Sequence, residues 1–189
     1  MPSISTPESM DLGSWIARRA AIGPDRPAIT FDDTTMSFRE FSDRIDRLAA
    51  ALRAGGVGVG DRLAYLGLNH PMFLVTMFAS ARAGATFVPL NFRLTGAELA
   101  YIINDAGAHT LIADPALAAV VDEVADQLTL QRCIAVGEHV GWESAEAVIA
   151  HAEPIADPAR PASDAIAVIM YTSGTTGRPK GAMLTHGNL

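Results

Sequence analysis

Five short apolar runs alternate along this chain with segments of helical periodicity, and this alternation limits the possible folds more than any other feature. The runs lie at residues 62–66, 85–88, 110–113, 132–136 and 165–171. They are continuously apolar, which is typical of strands covered on both faces of a sheet. Because strands separated by helices require right-handed crossovers, the pattern predicts an α/β fold with a largely parallel sheet flanked by helices.

Two of the predicted helices begin with a capping box, in which a hydroxyl and a glutamate three residues later satisfy each other's backbone N–H groups. Ser37 and Glu40 open a helix over residues 37–56, and Thr95 and Glu98 open one that ends near Gly107. Apolar residues recur every three or four positions in both. Further helices are predicted at residues 11–21, 72–83, 115–127 and 142–152.

Prolines suggest how the chain is divided. Residues 1–152 are expected to form the first α/β portion, and residues 153–164, with three prolines, a linker. Residues 165–189 would then supply a strand, a phosphate-binding loop and the start of a truncated helix. Near the beginning of the chain, Asp32 and Asp33 are predicted to form the turn of a hairpin.

Composition excludes several classes of protein. Hydrophobic residues make up 49% of the chain and charged residues 19%, which is enough apolar material for a packed core. A net charge of −7 argues against nucleic-acid binding. The N-terminus lacks the pattern of a signal peptide, and Arg82 and Gly84 interrupt the longest apolar stretch, so we expect no transmembrane segment and a cytoplasmic protein.

One lysine stands out in the sequence, because 13 of the 14 basic residues are arginine and only Lys180 is not. It follows the last predicted strand in the run Thr-Ser-Gly-Thr-Thr-Gly-Arg-Pro-Lys-Gly, residues 172–181. Glycines allow backbone N–H groups to approach an anion, and hydroxyls add further donors to phosphate oxygens. The run is not a Walker A loop, because Pro179 replaces its second glycine and Gly181 its hydroxyl residue. It predicts a polyphosphate-binding loop of another kind.

Residues 171–181 resemble the signature loop of the adenylate-forming (AMP-binding) superfamily at every fixed position. This superfamily includes acyl-CoA synthetases, fatty-acid–CoA ligases and peptide-synthetase adenylation domains. Residues 36–41 and 83–91 resemble two of its upstream motifs. The sequence Pro89-Leu90-Asn91 is similar to the acyl-CoA synthetase form, whereas peptide synthetases usually carry Asp at this point.

The resemblance implies a two-step reaction. A carboxylate attacks the α-phosphate of Mg²⁺-ATP to give an acyl-adenylate and pyrophosphate, and the thiolate of CoA then displaces AMP. The implied cofactors and partners are thus ATP, Mg²⁺, CoA and a carboxylic acid. The implied phosphate-binding residues are Thr172, Ser173, Gly174, Thr175, Thr176, Gly177 and Lys180. No catalytic residue and no metal ligand is expected in this chain, because the family's other motifs lie further along.

Family members are much longer than this chain, which we therefore expect to be the N-terminal third of such an enzyme and inactive alone. Thr185 is predicted to cap a helix that begins but does not develop, and His186 in its first turn to have a capping or packing role. Two alternatives stay open: a peptide-synthetase adenylation domain and a non-catalytic binding module. The sequence does not identify the acid or the oligomeric state.

Overall fold

A computed structural model describes residues 11–172 and 178–189, in which nine strands form one hairpin and one large sheet. The hairpin consists of β1 (Pro27–Phe31) and β2 (Thr34–Ser37). The strands of the sheet are β3 (Arg62–Leu66), β4 (Thr86–Leu90), β5 (Ala108–Ala113), β6 (Arg132–Ala135), β7 (Glu143–Ser144), β8 (Ile166–Thr172) and β9 (Lys180–Thr185). Their order across the sheet is β7-β6-β5-β3-β4-β8-β9.

Helices cover both faces of this sheet. They are α1 (Ser14–Ile22), α2 (Phe38–Ala54), α3 (Pro71–Ala83), α4 (Gly96–Ala106), α5 (Pro115–Asp122) and α6 (Ala145–Ala150). Single 3₁₀ turns follow at Ala125–Gln127 and His186–Asn188. The first core, on one face of the sheet, includes the buried sides of α2 and α3, and the second, on the other face, includes those of α4 and α5.

The predicted α/β class is confirmed, and the sheet is parallel at every pairing except the last. β3 pairs with β4 and β5, β5 with β6, β6 with β7, and β4 with β8, all in parallel. β9 returns antiparallel to β8, so the sheet is mixed at this end. Sequence reasoning missed β9, because its Lys-Gly start and its exposed residues lack the apolar pattern of a covered strand.

Both predicted capping boxes are confirmed. The Ser37 backbone N–H donates to Glu40 Oε2 at 2.7 Å, and the Glu40 N–H donates back to Ser37 Oγ at 3.3 Å. The same pair of bonds joins Thr95 and Glu98, at 2.9 and 3.4 Å. These bonds lower the pKa of both glutamates below its usual value, because they favour the carboxylate form. Gly107 ends α4 with φ of 67°, a left-handed conformation that glycine adopts without strain.

The helix prediction for residues 142–152 is wrong at its beginning. Glu143 and Ser144 form strand β7, and the helix starts only at Ala145. Glu143 and Ser144 pair in parallel with Ile134 and Ala135 of β6, and the Glu143 carboxylate also accepts two hydrogen bonds from the Arg132 guanidinium, at 2.7 and 2.9 Å. The helix predicted over 115–127 likewise ends early, at Asp122, and a 3₁₀ turn completes the segment.

The first core holds most of the large buried side chains. Leu48 and Leu52 of α2 are fully buried there, and Met72 and Phe78 of α3 pack against the same cluster. Asp46 of α2 pairs with Arg82 of α3, whose Nε lies 2.7 Å from the carboxylate. These contacts bind α2 and α3 into one layer.

The proline-containing segment 153–164 is hydrogen-bonded to that layer. The Ile155 N–H donates to the Asp46 carbonyl at 3.1 Å, and the Ala159 N–H donates to the Arg82 carbonyl at 2.8 Å. Arg53 of α2 donates to the Asp157 carbonyl at 2.6 Å. The segment thereby leads the chain across the α2–α3 layer to β8.

None of the helices in residues 11–172 and 178–189 combines the length and the apolar character needed to cross a bilayer.

Candidate functional site

Strands β8 and β9 flank the predicted phosphate loop in the sequence, and β8 ends at Thr172 on the side of the sheet where the parallel strands have their carboxyl ends. Thr172, the last residue of β8, pairs with Lys180, the first residue of β9. Of the other predicted phosphate-binding residues, Ser173, Gly174, Thr175, Thr176 and Gly177 lie outside the described residues. In open α/β sheets, ligands bind at this edge. The strand pairing therefore brings Thr172 and Lys180 together at a position suited to a ligand.

The antiparallel strands β8 and β9 form a second hairpin, the β8–β9 hairpin, and Lys180 and Thr172 are both exposed at its end. Within residues 11–172 and 178–189, no carboxylate forms an ion pair with the Lys180 ammonium. An ammonium is a compact charge on a flexible stem, and it binds phosphate oxygens without a fixed orientation. The charge of Lys180 is thus available to an anion at this edge.

Tyr171, beside Thr172, lies across the hairpin and contacts α4. Its hydroxyl donates a hydrogen bond of 2.6 Å to Asp105 Oδ2 of that helix. Burial, together with the bond to Asp105, raises the pKa of Tyr171 well above its ordinary value of 10, so the phenol keeps its proton. A bond from a hydroxyl to a carboxylate is among the stronger hydrogen bonds in proteins.

Gly181 makes room for this arrangement. It pairs directly with Tyr171, and a Cβ added at Gly181 would lie 2.7 Å from Ile169 Cγ2 and 3.2 Å from Tyr171 Cζ. Real Cβ atoms do not approach a neighbour as closely as 2.7 Å. The final glycine of the predicted loop motif therefore allows the Tyr171 ring to pack over β9.

The segment just before β9 also contacts α4, one helical turn away from Asp105. The Tyr101 hydroxyl lies 3.5 Å from the Pro179 carbonyl, and the Arg178 guanidinium carbon lies 5.5 Å from the centre of the Tyr101 ring. Tyr101 and Asp105 are four residues apart, so they share one face of α4. One helix thus contacts the residues on both sides of the predicted loop.

Other polar residues at the carboxyl edge are hydrogen-bonded to nearby backbone. Asn91 Oδ1 accepts from the Arg93 N–H at 3.0 Å, and Asp114 Oδ1 accepts from the Ala116 N–H at 2.9 Å. His70 caps α3 by accepting from the Met72 N–H at 3.1 Å. Across the described ranges 11–172 and 178–189, no group of three or more His, Cys, Asp or Glu side chains could hold a metal ion.

His186 is buried, with 4% of its surface exposed, and has the predicted packing role. Its Nδ1 accepts a hydrogen bond of 3.2 Å from the Leu12 N–H, which connects the two ends of the described chain. Burial lowers the pKa of His186, while Asp11 acts in the opposite direction. The residue is therefore a neutral acceptor within the fold.

Comparison with known proteins decides the family. The family model described as "AMP-binding enzyme" matches residues 16–189. The chain belongs to the AMP-binding enzyme family. The family predicted from residues 171–181 is thus confirmed.

Curated relatives of this chain include a feruloyl-CoA synthase from Amycolatopsis sp, which is 47% identical over 94% of this chain and 34% of the relative. An indoleacetate–CoA ligase from Aromatoleum aromaticum is 38% identical over 95% of the chain and 36% of the relative. Among solved structures, the anthranilate CoA ligase AuaEII with anthranoyl-AMP has a TM-score of 0.90 at 25% identity, covering 98% of this chain and 36% of that one. The chain spans about a third of the length of these proteins.

Sequence reasoning missed the contacts of α4 with the hairpin. Tyr101, Asp105 and Arg178 had no assigned role, although the spacing of Tyr101 and Asp105 on one helix face is visible in the sequence. Tyr171 begins the recognised motif, so a search for its partner would have been justified. The partner lies 66 residues away and becomes apparent only when the order of the strands is known.

Proposed function

We propose that this chain is the N-terminal, phosphate-binding portion of an ATP-dependent acid–thiol ligase. The ligase would convert a carboxylate and ATP to an acyl-adenylate and pyrophosphate, and then transfer the acyl group to CoA. The observation that carries the proposal is the pairing of Thr172 with Lys180 at the carboxyl edge of the sheet, in a chain of the AMP-binding family. The reaction would take place in the cytoplasm, where ATP and CoA are both present.

The proposed role of this edge is to hold the β- and γ-phosphates of ATP. The hydroxyl of Thr172 would donate to a phosphate oxygen, and Lys180 would neutralise charge that builds up as pyrophosphate leaves. Ser173, Gly174, Thr175, Thr176 and Gly177 complete the proposed set. Donors already placed where charge develops lower the barrier more than donors that must reorganise.

Mg²⁺ would enter this site with ATP and not through protein ligands of this chain. The hydroxyls and the single ammonium suit phosphate oxygens, whereas Mg²⁺ prefers carboxylates, phosphates and water. A bound Mg²⁺ would polarise phosphate oxygens and offset their charge. The residues described here would bind and orient the phosphates that carry the ion.

We propose an aromatic carboxylic acid as the substrate class, on the names of the relatives reported above. The names of the two curated relatives and of the solved structure refer to feruloyl, indoleacetate and anthranilate groups, all of which are aromatic. The 47% identity to the feruloyl-CoA synthase covers nearly the whole of this chain. We therefore propose aryl acids before fatty acids.

Carboxylate-dependent exchange between ATP and pyrophosphate tests this function. The complete protein that contains this chain should catalyse exchange with ferulate or indoleacetate and form the corresponding CoA thioester. The 189-residue chain by itself should show only background exchange. Exchange with amino acids but not with aryl acids would favour a peptide-synthetase type instead, and no exchange with any acid would contradict the proposal.

A further inference from the structure

We propose that Asp105 and Tyr101 of α4 are positioning residues for ATP, which act by holding β8 and the segment that leads into β9, on either side of the phosphate loop. This inference rests on the proposed function, because it assumes that the end of the hairpin binds phosphates. Neither residue belongs to the loop motif. Their contacts with Tyr171 and with residues 178–179 carry the inference.

The strongest contact is the bond between Asp105 and Tyr171. Tyr171 precedes Thr172, and it pairs across the hairpin with Gly181, which follows Lys180. A side chain fixed at Tyr171 therefore constrains both of the described residues that would meet phosphate. Because its hydroxyl keeps its proton and donates to a carboxylate over 2.6 Å, the contact is directional and charge-assisted.

The absence of a side chain at Gly181 connects this contact to β9. The Ile169 side chain and the Tyr171 ring together occupy the space that a Cβ would need, at 2.7 and 3.2 Å, so the ring packs on β9 while its hydroxyl reaches α4. Any shift of β9 relative to β8 would disturb the ring, and any shift of the ring would stretch the bond to Asp105. Lys180 is thereby linked to α4 through Tyr171.

The second contact acts on the chain that enters β9. Arg178 lies over the face of the Tyr101 ring, and the Tyr101 hydroxyl points to the carbonyl of Pro179, the residue just before Lys180. A cation over an aromatic face gives only a modest attraction at an exposed site. This contact is weaker than the first, and it acts on the opposite side of the loop.

The helix that makes both contacts is itself firmly held. Leu99, Ile102 and Ile103 are buried in the second core. Near the end of α4, Asn104 Nδ2 donates to the Gln127 carbonyl at 2.7 Å, and its Oδ1 accepts from the Thr129 N–H at 3.1 Å. A rigid support of this kind is what precise placement of a binding group requires.

Loss of these contacts should therefore weaken the use of ATP selectively. Loss of the Asp105 contact would leave the charge of Lys180 in place but would allow the end of the hairpin to move relative to the rest of the site. Misplacement of a binding group by about 1 Å can cost up to a hundredfold in rate. Binding of the acid would not change in the same way, since neither contact involves the acid.

Steady-state kinetics of the complete protein test the inference. Asp105→Ala and Tyr171→Phe should each raise the KM for ATP about tenfold, with the KM for the acid unchanged. The double variant should be no worse than either single variant, because both substitutions remove the same bond. Asp105→Asn keeps an oxygen that can accept from Tyr171, and it should restore most of the loss.

Asp122→Ala is the matched control. Asp122 is also an exposed aspartate that accepts from an aromatic side chain, the Trp142 indole N–H at 3.1 Å, and it makes no described contact with the hairpin. Its loss should leave the KM for ATP unchanged. If Asp105→Ala does not yield folded protein, Tyr171→Phe and Asp105→Asn provide the same comparison.

Two outcomes would overturn the inference. One is an unchanged KM for ATP in Asp105→Ala and Tyr171→Phe, and the other is an equal rise in the KM for ATP and for the acid, which a general structural role would give. Lys180→Ala separates this failure from failure of the proposed function. If Lys180→Ala raises the KM for ATP while the Asp105 variants do not, only the positioning role is wrong. If Lys180→Ala has no effect either, the phosphate-binding role itself is wrong.

Discussion

Helices α2 and α4 begin in the same way but use their polar sides differently. Each starts with a capping box and buries one apolar side against the sheet. The polar side of α2 pairs with its neighbours: Arg44 donates to Glu146 of α6, and Asp46 accepts from Arg82 of α3. The polar side of α4 instead contacts residues beside the phosphate loop. Two helices with the same capping and apolar pattern can therefore have different roles, because their exposed side chains meet different partners.

Loss of core packing should lower the unfolding free energy more than any other change considered. It should also show whether only α4 influences the KM for ATP. Leu48→Ala in α2 and Ile103→Ala in α4 each leave a cavity at a fully buried position, so each should cost about 2–5 kcal/mol of unfolding free energy. Urea unfolding of the complete protein measures this. Only Ile103→Ala should also raise the KM for ATP. Val59→Ala, at a site that is 85% exposed, is the control and should change neither quantity.

Removal of the ion pair between α2 and α3 should cause the next largest loss of unfolding free energy. Asp46→Ala leaves the guanidinium of Arg82, whose side chain is only 13% exposed, without its partner, so we expect a loss of about 1.5–3 kcal/mol. Asp25→Ala removes a pair with Arg39 in which the side chains are 85% and 65% exposed, and it should cost about 0.5 kcal/mol or less. Thermal unfolding distinguishes the two. Equal losses would contradict a stabilising role specific to the α2–α3 pair.

Substitutions in the two capping boxes compare α2 and α4 at equivalent positions. Ser37→Ala and Thr95→Ala each remove one cap hydrogen bond and should each lower stability by about 1 kcal/mol. Only Thr95→Ala should raise the KM for ATP, because α4 supports the hairpin and α2 does not. A rise in both variants, or in neither, would show that the functional difference between the helices is not real.

The smallest effect should come from pH, through His186. Its pKa in the folded protein lies below the ordinary value of about 6.5, so the unfolded chain binds more protons as pH falls through this value. The contribution of neutral His186 to the free energy of unfolding should therefore be fully present near pH 7 and should be lost progressively toward pH 5. The decrease should be smaller in His186→Gln. The capping glutamates add little to the decrease between pH 7 and pH 5, because the fold lowers their pKa below the ordinary value of 4.5. An identical pH dependence in the variant would contradict this assignment.

Much of this fold could be predicted from local patterns. The capping boxes and the continuous apolar runs were sufficient for α2, α4 and the parallel strands β3, β4, β5, β6 and β8, because such signals act within a few residues. The motif at residues 171–181 was sufficient for the family. Features that depend on distant partners were not predictable. β7 pairs with Ile134 and Ala135 of β6, and the bond between Tyr171 and Asp105 joins residues that meet only in the assembled sheet.

The central claim is that Lys180 binds the phosphates of ATP, and its removal tests this most directly. In the complete protein, Lys180→Ala should lower kcat/KM for ATP in carboxylate-dependent pyrophosphate exchange by about 5- to 150-fold, which corresponds to about 1–3 kcal/mol for a charge-assisted contact. Arg39→Ala removes another exposed cation, on α2, and should leave this value unchanged. An unchanged kcat/KM in Lys180→Ala, or an equal loss in Arg39→Ala, would contradict the account.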